Sequence, residues 1–276
     1  MAVKQGASAT LVALMGLRLR VLTFNTLFFG EVRLRLRMLG EILNRSTLDV
    51  VCLQEMLWRW SLAELRELCS TFPHVAYAAH GPAITGGLVT LSRWPIAEHR
   101  YVVYRVRTPR RRPRVDWFLR KGLLITRIGI ARHPVTVVNT HLMANSDGDW
   151  SRTNRYSIAL RAELHQLAQE LANEDASVPT LAMGDFNVPS NTWLFDEFLA
   201  MTGLCDVMAG DTRTTYRPTP RLRTVRAIDH LLVRPSPSQR VVPHAKLAFE
   251  EPVLLPDNRS IYLSDHYGIE SSIELA

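Results

Sequence analysis

The run Val178-Pro179-Thr180-Leu181-Ala182-Met183-Gly184-Asp185-Phe186-Asn187-Val188-Pro189-Ser190 decides how this chain is read. Its first part, Val178 to Ala182, is apolar and short enough for a buried strand, and the rest is a polar tip followed by a turn. Strand side chains alternate between faces, so Asp185 and Asn187 are expected to point the same way. An acceptor-only carboxylate then sits beside an amide donor at a strand end, where active sites collect on protein scaffolds.

Working outward, five more polar clusters fall at expected strand ends: Thr23-Phe24-Asn25, Gln54-Glu55, Asn139-Thr140-His141, Ile228-Asp229-His230 and Leu263-Ser264-Asp265-His266. Each has an ordinary explanation alone. Asn25 suits a turn, Glu55 an exposed strand terminus, His141 a satisfied core histidine and Asp229 a cap. Together in one chain they argue for a single reaction centre. Strands are expected over Leu19 to Thr23, Leu48 to Leu53, Leu88 to Leu91, Tyr101 to Tyr104, Leu123 to Ile130, Val135 to Asn139, Leu181 to Met183, Ile228 to Val233, Val241 to Phe249 and Gly268 to Ile273. Apolar spacing predicts helices over Glu31 to Asn44, Ser61 to Cys69, Trp150 to Ala172 and Thr192 to Met201. Strands outnumber helices, and the helices do not alternate strictly with them. That pattern implies packed sheets with helices outside, not a doubly wound parallel sheet.

The 276 residues are 47% hydrophobic and 21% charged, an ordinary globular composition that excludes a disordered chain. No apolar run is long enough to span a bilayer. Three cysteines, Cys52, Cys69 and Cys205, are too few and too scattered for a disulfide framework or a zinc site. The net charge is +7, carried by 30 Arg and only three Lys. Arg enrichment fits genome composition, and it also fits guanidinium forks meeting phosphate. The charge alone suits nucleic acid and anionic lipid equally. Lys4 and the apolar stretch from Ala9 to Met15 faintly resemble a leader, but Arg18 and Arg20 follow at once and no small-residue cleavage site precedes Val21. The expectation is a cytoplasmic or membrane-peripheral monomer. Residues 1–17 form an N-terminal extension and residues 18–276 one catalytic domain. The Arg/Pro-rich stretches Arg107 to Arg114 and Pro218 to Arg226 are loops rather than linkers, because site motifs lie on both sides of each.

The chemistry of the clusters is coherent. Glu55, the amide of Asn25 and Asp265 are hard oxygen donors that suit Mg²⁺, with Mn²⁺ as a substitute. Two histidines with carboxylates available offer a general acid and a general base or phosphate donor. Such a set suits attack of water on a phosphorus ester.

In order and content these motifs resemble the Mg²⁺-dependent endonuclease/exonuclease/phosphatase superfamily, from about Leu19 to Ile273. The resemblance implies a four-layer α/β/β/α sandwich of two packed mixed sheets, deoxyribonuclease I-like, with the site at one edge of the sheets. It implies Glu55 as the principal metal ligand with Asn25, and Asp265 as an auxiliary metal-side carboxylate. His141 then contacts phosphate, Asp185 and Asn187 orient water and hold the scissile phosphate, and His266 is the base or transition-state donor held by Asp229. Which histidine is acid and which is base stays open.

Three segments resemble the neutral sphingomyelinase branch: Asn139-Thr140-His141-Leu142-Met143-Ala144-Asn145, Gly86-Gly87-Leu88-Val89-Thr90-Leu91-Ser92-Arg93-Trp94-Pro95-Ile96 and Asp116-Trp117-Phe118-Leu119-Arg120-Lys121-Gly122. They imply Lys121, Asn145 and Asp116 beside the substrate, which would be a phospholipid at a membrane surface. Lys121 is one of three lysines in an Arg-rich chain, as if a compact ammonium were wanted near phosphate. Trp58, Trp60, Trp117 and Trp150 are candidate interfacial anchors. An endonuclease or abasic-site nuclease acting on DNA is the second reading, and a small-molecule phosphatase of the same superfamily the third. A non-catalytic binding module should have lost Glu55, Asp185, Asn187, Asp265 or His266, and all five are present.

Overall fold

A computed structural model describes residues 17–106, 120–130, 133–217, 226–236, 241–255 and 257–275. In chain order the elements are β1 (Leu17–Asn25), α1 (Val32–Asn44), β2 (Val50–Gln54), α2 (Arg59–Glu67), β3 (His74–Ala76), β4 (Ala79–His80), β5 (Ala83–Ile84), β6 (Val89–Ser92), β7 (Ile96–Val103), β8 (Gly122–Ile130), β9 (His133–His141), α3 (Arg155–Ala172), β10 (Thr180–Asp185), α4 (Trp193–Thr202), β11 (Cys205–Asp206), β12 (Asp229–Arg234), β13 (Val241–Ala248), β14 (Val253–Leu254), β15 (Ser260–Ile261) and β16 (Gly268–Leu275).

Two six-stranded sheets run β13-β16-β1-β2-β6-β3 and β11-β12-β10-β9-β8-β7, and β4-β5 and β14-β15 form small hairpins. Each large sheet is mixed. The pairs β1-β2 and β9-β10 are parallel, and their neighbours are antiparallel. The sheets pack face to face through Leu19, Val21, Val50 and Cys52 on one side and Val135, Val137, Leu181, Met183, Leu231 and Val233 on the other. Helices α1 and α2 cover the first sheet with Leu36, Leu39, Leu43, Leu62 and Leu65. Helices α3 and α4 cover the second with Leu160, Leu164, Leu167, Phe195 and Phe198. This is the expected α/β/β/α order of layers, made of packed mixed sheets rather than a doubly wound one.

The period-2 pattern explains why the site lies where it does. In β1 the inward series is Leu19, Val21, Thr23, Asn25; in β9 it is Val135, Val137, Asn139, His141; in β10 it is Leu181, Met183, Asp185. Each series is apolar at one end of the sandwich and polar at the other. Burying a Val or Leu side chain is worth roughly 1.5–3 kcal/mol, so the apolar end drives sheet packing. The polar end must instead be satisfied by hydrogen bonds across the gap. Asn139 does this. Its Nδ2 donates to the carbonyls of Leu53 (3.1 Å) and Val89 (3.0 Å) in the opposite sheet, and its Oδ1 accepts from Gln54 Nε2 (2.8 Å). Gly184 is required next to Asp185. Its φ is +149°, and a Cβ there would lie 2.0 Å from the Thr140 carbonyl of β9.

Two local expectations change. The helix expected from Trp150 begins at Arg155, because Asn154 Oδ1 accepts from the Tyr156 (2.8 Å) and Ser157 (3.3 Å) amides as an N-cap. The preceding residues fold into turns held by Asp147 and Asp149. The strand expected from Tyr101 begins at Ile96, on an edge whose exposed polar residues hide it from an apolar count. The extra hairpins are too short for any periodicity to show.

Asn139→Ala would remove the side-chain donor from two buried carbonyls, while Gln54 Nε2 keeps Thr23 Oγ1 and the Cys52 carbonyl as acceptors. The expected cost is about 3 kcal/mol of unfolding free energy, read by urea denaturation, because buried groups left unsatisfied cost about 1–3 kcal/mol each. A loss below about 0.5 kcal/mol, the scatter of surface substitutions, would mean that Asn139 does not tie the sheets.

Candidate active site

At the polar end of the sandwich Asp185 is the hub. Register places it opposite His141 on β9 and Asp229 on β12, so three chemical groups lie side by side across the second sheet. Its Oδ2 accepts from Asn25 Nδ2 of the first sheet at 3.0 Å, lies 3.3 Å from His141 Nε2 and lies 3.9 Å from His266 Nε2. Its Oδ1 accepts from the Asn187 backbone amide at 2.9 Å. Burial pushes this carboxyl's pKa up, but His141, His266 and Lys121 together outweigh burial and hold it well below the usual carboxylate range.

Asp185 and Asn187 are brought together differently from the strand-alternation expectation. The strand ends at Asp185, and Asn187 lies beyond it with φ +52°. The Asp185 carboxylate closes a turn onto the Asn187 amide, and Asn187 Nδ2 donates to the Leu142 carbonyl at 3.0 Å. An amide nitrogen carries two hydrogens, so one is left for a ligand.

His266 is 6% exposed. Its Nδ1 meets Asp229 Oδ2 at 2.9 Å, so the expected pairing is formed. Burial works against a charged imidazole here, yet Asp229, then Asp185 and Asp265, raise its pKa to about 10. Asp229 itself is raised, by burial first and by the nearby Asp185 charge, against the pull of His266 and Thr215. Thr215, which the sequence did not single out, donates from Oγ1 to Asp229 Oδ2 at 2.7 Å. Tyr216 packs edge-on to His266, with ring centroids 4.8 Å apart.

Lys121, at the start of β8, is buried. Its Nζ donates to the Leu142 carbonyl at 2.7 Å and lies 2.9 Å from His141 Nε2. The sequence placed this lysine near the substrate, and the fold puts it against one of the expected site histidines. Asp116 lies outside the described residues, as do residues 107–114 and 218–225 of the two Arg/Pro-rich loops. Asn145 is used by its own loop. Its Oδ1 accepts from the Asp147 (3.2 Å) and Gly148 (3.1 Å) amides, and its Nδ2 donates to the Asp149 carbonyl (2.9 Å).

The metal-end residues follow β1 and β2. Asn25 Oδ1 accepts from the Leu27 amide and Glu55 Oε2 from the Phe28 amide, both at 3.0 Å. Leu27 and Glu55 hold φ of +57° and +61°. Backbone strain of this kind costs about 1–3 kcal/mol and persists where surrounding structure enforces it, often at functional sites. Asp265 and Glu55 act with Asp185 on the Tyr216 hydroxyl, which burial first and then these charges raise. The set is all oxygen, which fits a hard divalent cation. Asp185, Asp229 and His266 also lie close enough to hold an ion. The 2.9 Å Nδ1–Oδ2 contact is a normal hydrogen bond, however, so that trio reads as a histidine–carboxylate pair beside the hub.

Arg35 was also missed. It is a buried arginine on α1 that donates to the carbonyls of Thr26, Leu27, Phe29 and Leu263, and so clamps the loop after β1 to the segment before Asp265. In sequence it is one more arginine in the alternating run Arg33, Arg35, Arg37. His230, in the same cluster as Asp229, faces away from the site. It stacks on Phe195 at 4.1 Å, lies 2.8 Å from the Val188 carbonyl, and is held below the ordinary histidine pKa by burial. A cleft of about 890 Å³ beside α3 holds none of the site groups. Its Arg152, Arg161 and His165 converge on the single carboxylate of Glu197.

Comparison with known proteins identifies the family and the fold. Residues 22–266 match the model of the Endonuclease/Exonuclease/phosphatase family. An inositol phosphosphingolipids phospholipase C from Schizosaccharomyces pombe (strain 972 / ATCC 24843) is 29% identical over 198 residues, which is 64% of this chain and 46% of that protein. The chain thus spans about half the length of that curated relative. Sphingomyelinase C from Streptomyces griseocarneus superposes with a TM-score of 0.73 at 21% identity, covering 93% of this chain and 99% of that one. TDP2 from D. rerio, solved with a single strand DNA product, superposes with a TM-score of 0.71 at 20% identity, with the same coverage.

Two of the three buried histidines among the described residues, His230 and His266, should separate by nitrogen-15 NMR on metal-free protein. His266 should remain an imidazolium at pH 7.5 and lose its proton only as pH rises toward about 10, whereas His230 stays neutral throughout. A His266 midpoint at or below the ordinary histidine value would contradict the carboxylate arrangement around it.

Proposed function

Because the chain belongs to the Endonuclease/Exonuclease/phosphatase family, we propose that this phosphoric ester hydrolase is a Mg²⁺-dependent phosphodiesterase that cleaves a phospholipid headgroup, as sphingomyelinases do. The observation that carries the reaction class is the convergence on Asp185 of Asn25, His141, His266 and Asn187. The lipid assignment is supported by the curated relative's name and by Lys121 beside His141.

In this reading Glu55 and Asn25, with Asp265, hold the metal. When bound, it neutralises phosphoryl charge. The chain's own groups do the rest. Ionised Asp185 accepts a hydrogen bond from the attacking water and aims it at phosphorus. His266, protonated at neutral pH, donates from Nε2 to a non-bridging oxygen, and Asp229 keeps its ring fixed. Asn187 Nδ2 uses its second hydrogen on the same phosphate. His141 and Lys121 stand together opposite His266 on the hub, where a leaving oxygen can take a proton. Burial of Asp185, Asp229, His141, Lys121 and His266 makes each charge more effective than it would be in water. The described helices include none long and apolar enough to cross a membrane. The same proposal covers the expected division into an extension, residues 1–17, and one catalytic domain, residues 18–276, although Leu17 already pairs with Leu275 as the first residue of β1. Monomeric, cytoplasmic or membrane-peripheral occurrence is part of the same proposal.

A DNA-directed activity is the second reading, favoured by the net charge of +7. A panel of sphingomyelin, phosphatidylcholine, phosphoinositides, abasic DNA and plasmid, each with Mg²⁺, separates the two. Release of a phosphorylated headgroup is expected, abolished by EDTA. His266→Ala should lower it at least 100-fold, the order lost when one stabilising donor is removed. Activity confined to nucleic acid would overturn the lipid assignment, and full activity in EDTA would overturn the metal.

A further inference from the structure

Seven large hydrophobic side chains are exposed among the described residues: Phe28, Phe29, Trp60, Ile158, Met201, Leu254 and Tyr262. Ile158 and Met201 lie on α3 and α4, over the second sheet. The other five belong to segments that meet at the metal end of the site. Phe28 and Phe29 are in the loop between β1 and α1, and their rings form an edge-on pair 5.4 Å apart. Trp60 starts α2 and carries Arg33 of α1 over its ring at 5.4 Å. Arg259, in the turn of the β14-β15 hairpin, pairs with Glu31 just before α1 at 3.4 Å. The same hairpin bears Leu254, 66% exposed. Tyr262 follows it and stacks under Arg217 at 3.7 Å. These contacts, with Arg35 bonding the carbonyls of both Phe29 and Leu263, set the segments that carry the five side chains beside one another.

From these segments we infer a docking surface for a bilayer of zwitterionic lipids, with Phe28 and Phe29 as its anchors. Three observations favour that occupant. First, two cations at this end are already paired, Arg33 with Glu64 at 3.6 Å and Arg259 with Glu31 at 3.4 Å and Asp257 at 2.8 Å, and Arg217 is taken up by the carbonyls of Ser264, Phe249 and Glu250. A surface without net charge asks for no unpaired cation, whereas a phosphate backbone is bound through such cations. Second, Phe29 is 58% exposed and Phe28 39%, and neither ring has a polar atom to satisfy in an acyl layer. Their edge-on contact turns them toward each other, so they do not offer parallel faces for stacked bases. Third, the anchor is tied to the chemistry. The Phe28 amide donates to Glu55 Oε2, and the Leu27 amide to Asn25 Oδ1. Arg35 fixes the same loop through the carbonyls of Leu27 and Phe29. Insertion of Phe28 and Phe29 therefore sets the lipid plane across the mouth of the site, one backbone hydrogen bond from the proposed metal ligand.

The lipid class rests on the reaction proposed above, but the surface can be tested apart from it. Full-length protein in EDTA, where no hydrolysis is expected, is floated with phosphatidylcholine vesicles at 50 and 300 mM NaCl, concentrations chosen as roughly those over which nucleic-acid affinity collapses. Wild type is compared with Phe28→Ser/Phe29→Ser and with Ile158→Ser/Met201→Ser on the opposite face, after thermal melts show all three folded. The expected result is at least a tenfold loss of vesicle partitioning for the Phe28/Phe29 variant. The Ile158/Met201 variant should stay within about twofold of wild type, and salt should change wild-type partitioning less than threefold. Absent wild-type partitioning, or equal loss in both variants, overturns the inference. So does single-stranded DNA binding that falls steeply with salt and depends on the two phenylalanines. Hydrolysis of bis(p-nitrophenyl) phosphate by wild type with Mg²⁺ is read in parallel. Failure there with vesicle binding intact removes the reaction and leaves the docking surface supported. Hydrolysis without vesicle binding removes the docking surface alone.

Discussion

The structure depends on how two sheets close on each other at an end where their facing side chains are polar. Elsewhere the gap is filled by Val, Leu, Ile and Met, which need no partners beyond close contact. At the site end Asn25 of β1 reaches Asp185 of β10, and Asn139 of β9 reaches two carbonyls of the first sheet. These bonds satisfy buried polar groups and also fix the separation of the halves. The groups proposed for catalysis come from both sheets, so the spacing that keeps the sandwich together also sets the geometry of the site.

Charge at that end is arranged as a chain. Arg35 stands behind the metal-end loop; Glu55 and Asp265 follow; Asp185 lies at the centre, flanked by His141 with Lys121 on one side and His266 with Asp229 on the other. None of the buried ions is solitary. Three neighbours offset the desolvation of Asp185, and facing carboxylates offset that of His266. Removing any one member changes the state of the others, so the set acts as a unit.

Backbone features serve the same end. Gly184 lets β10 approach β9 closely, and positive φ at Leu27, Glu55 and Asn187 turns the chain sharply just past three strand ends. Two of these turns are closed by a site side chain bonding to a backbone amide, Asn25 to Leu27 and Asp185 to Asn187, and Glu55 reaches across to the first of them through the Phe28 amide. The side chains that carry chemistry thus also shape the loops that surround it, which is why the exposed phenylalanines stand so near the metal end.

By itself the sequence determined the layers, the strands that meet at the site and most of the residues there. Alternation in β1, β9 and β10 is strong because one face of each is apolar for two successive positions before it turns polar. The Gly184-Asp185-Phe186-Asn187 run marked the hub, though for a partly mistaken reason: Asn187 joins Asp185 through a turn and not through strand alternation. Tertiary structure alone decided the rest. Thr215 and Arg35 have no local pattern, and their roles exist only because residues 14 and 228 positions away supply Asp229 and Leu263. His230 and His266 look alike in sequence, each following an aspartate. Only their places in the fold separate them: the pleat of β12 turns His230 onto Phe195, whereas His266 lies before β16, on a segment that brings it between carboxylates.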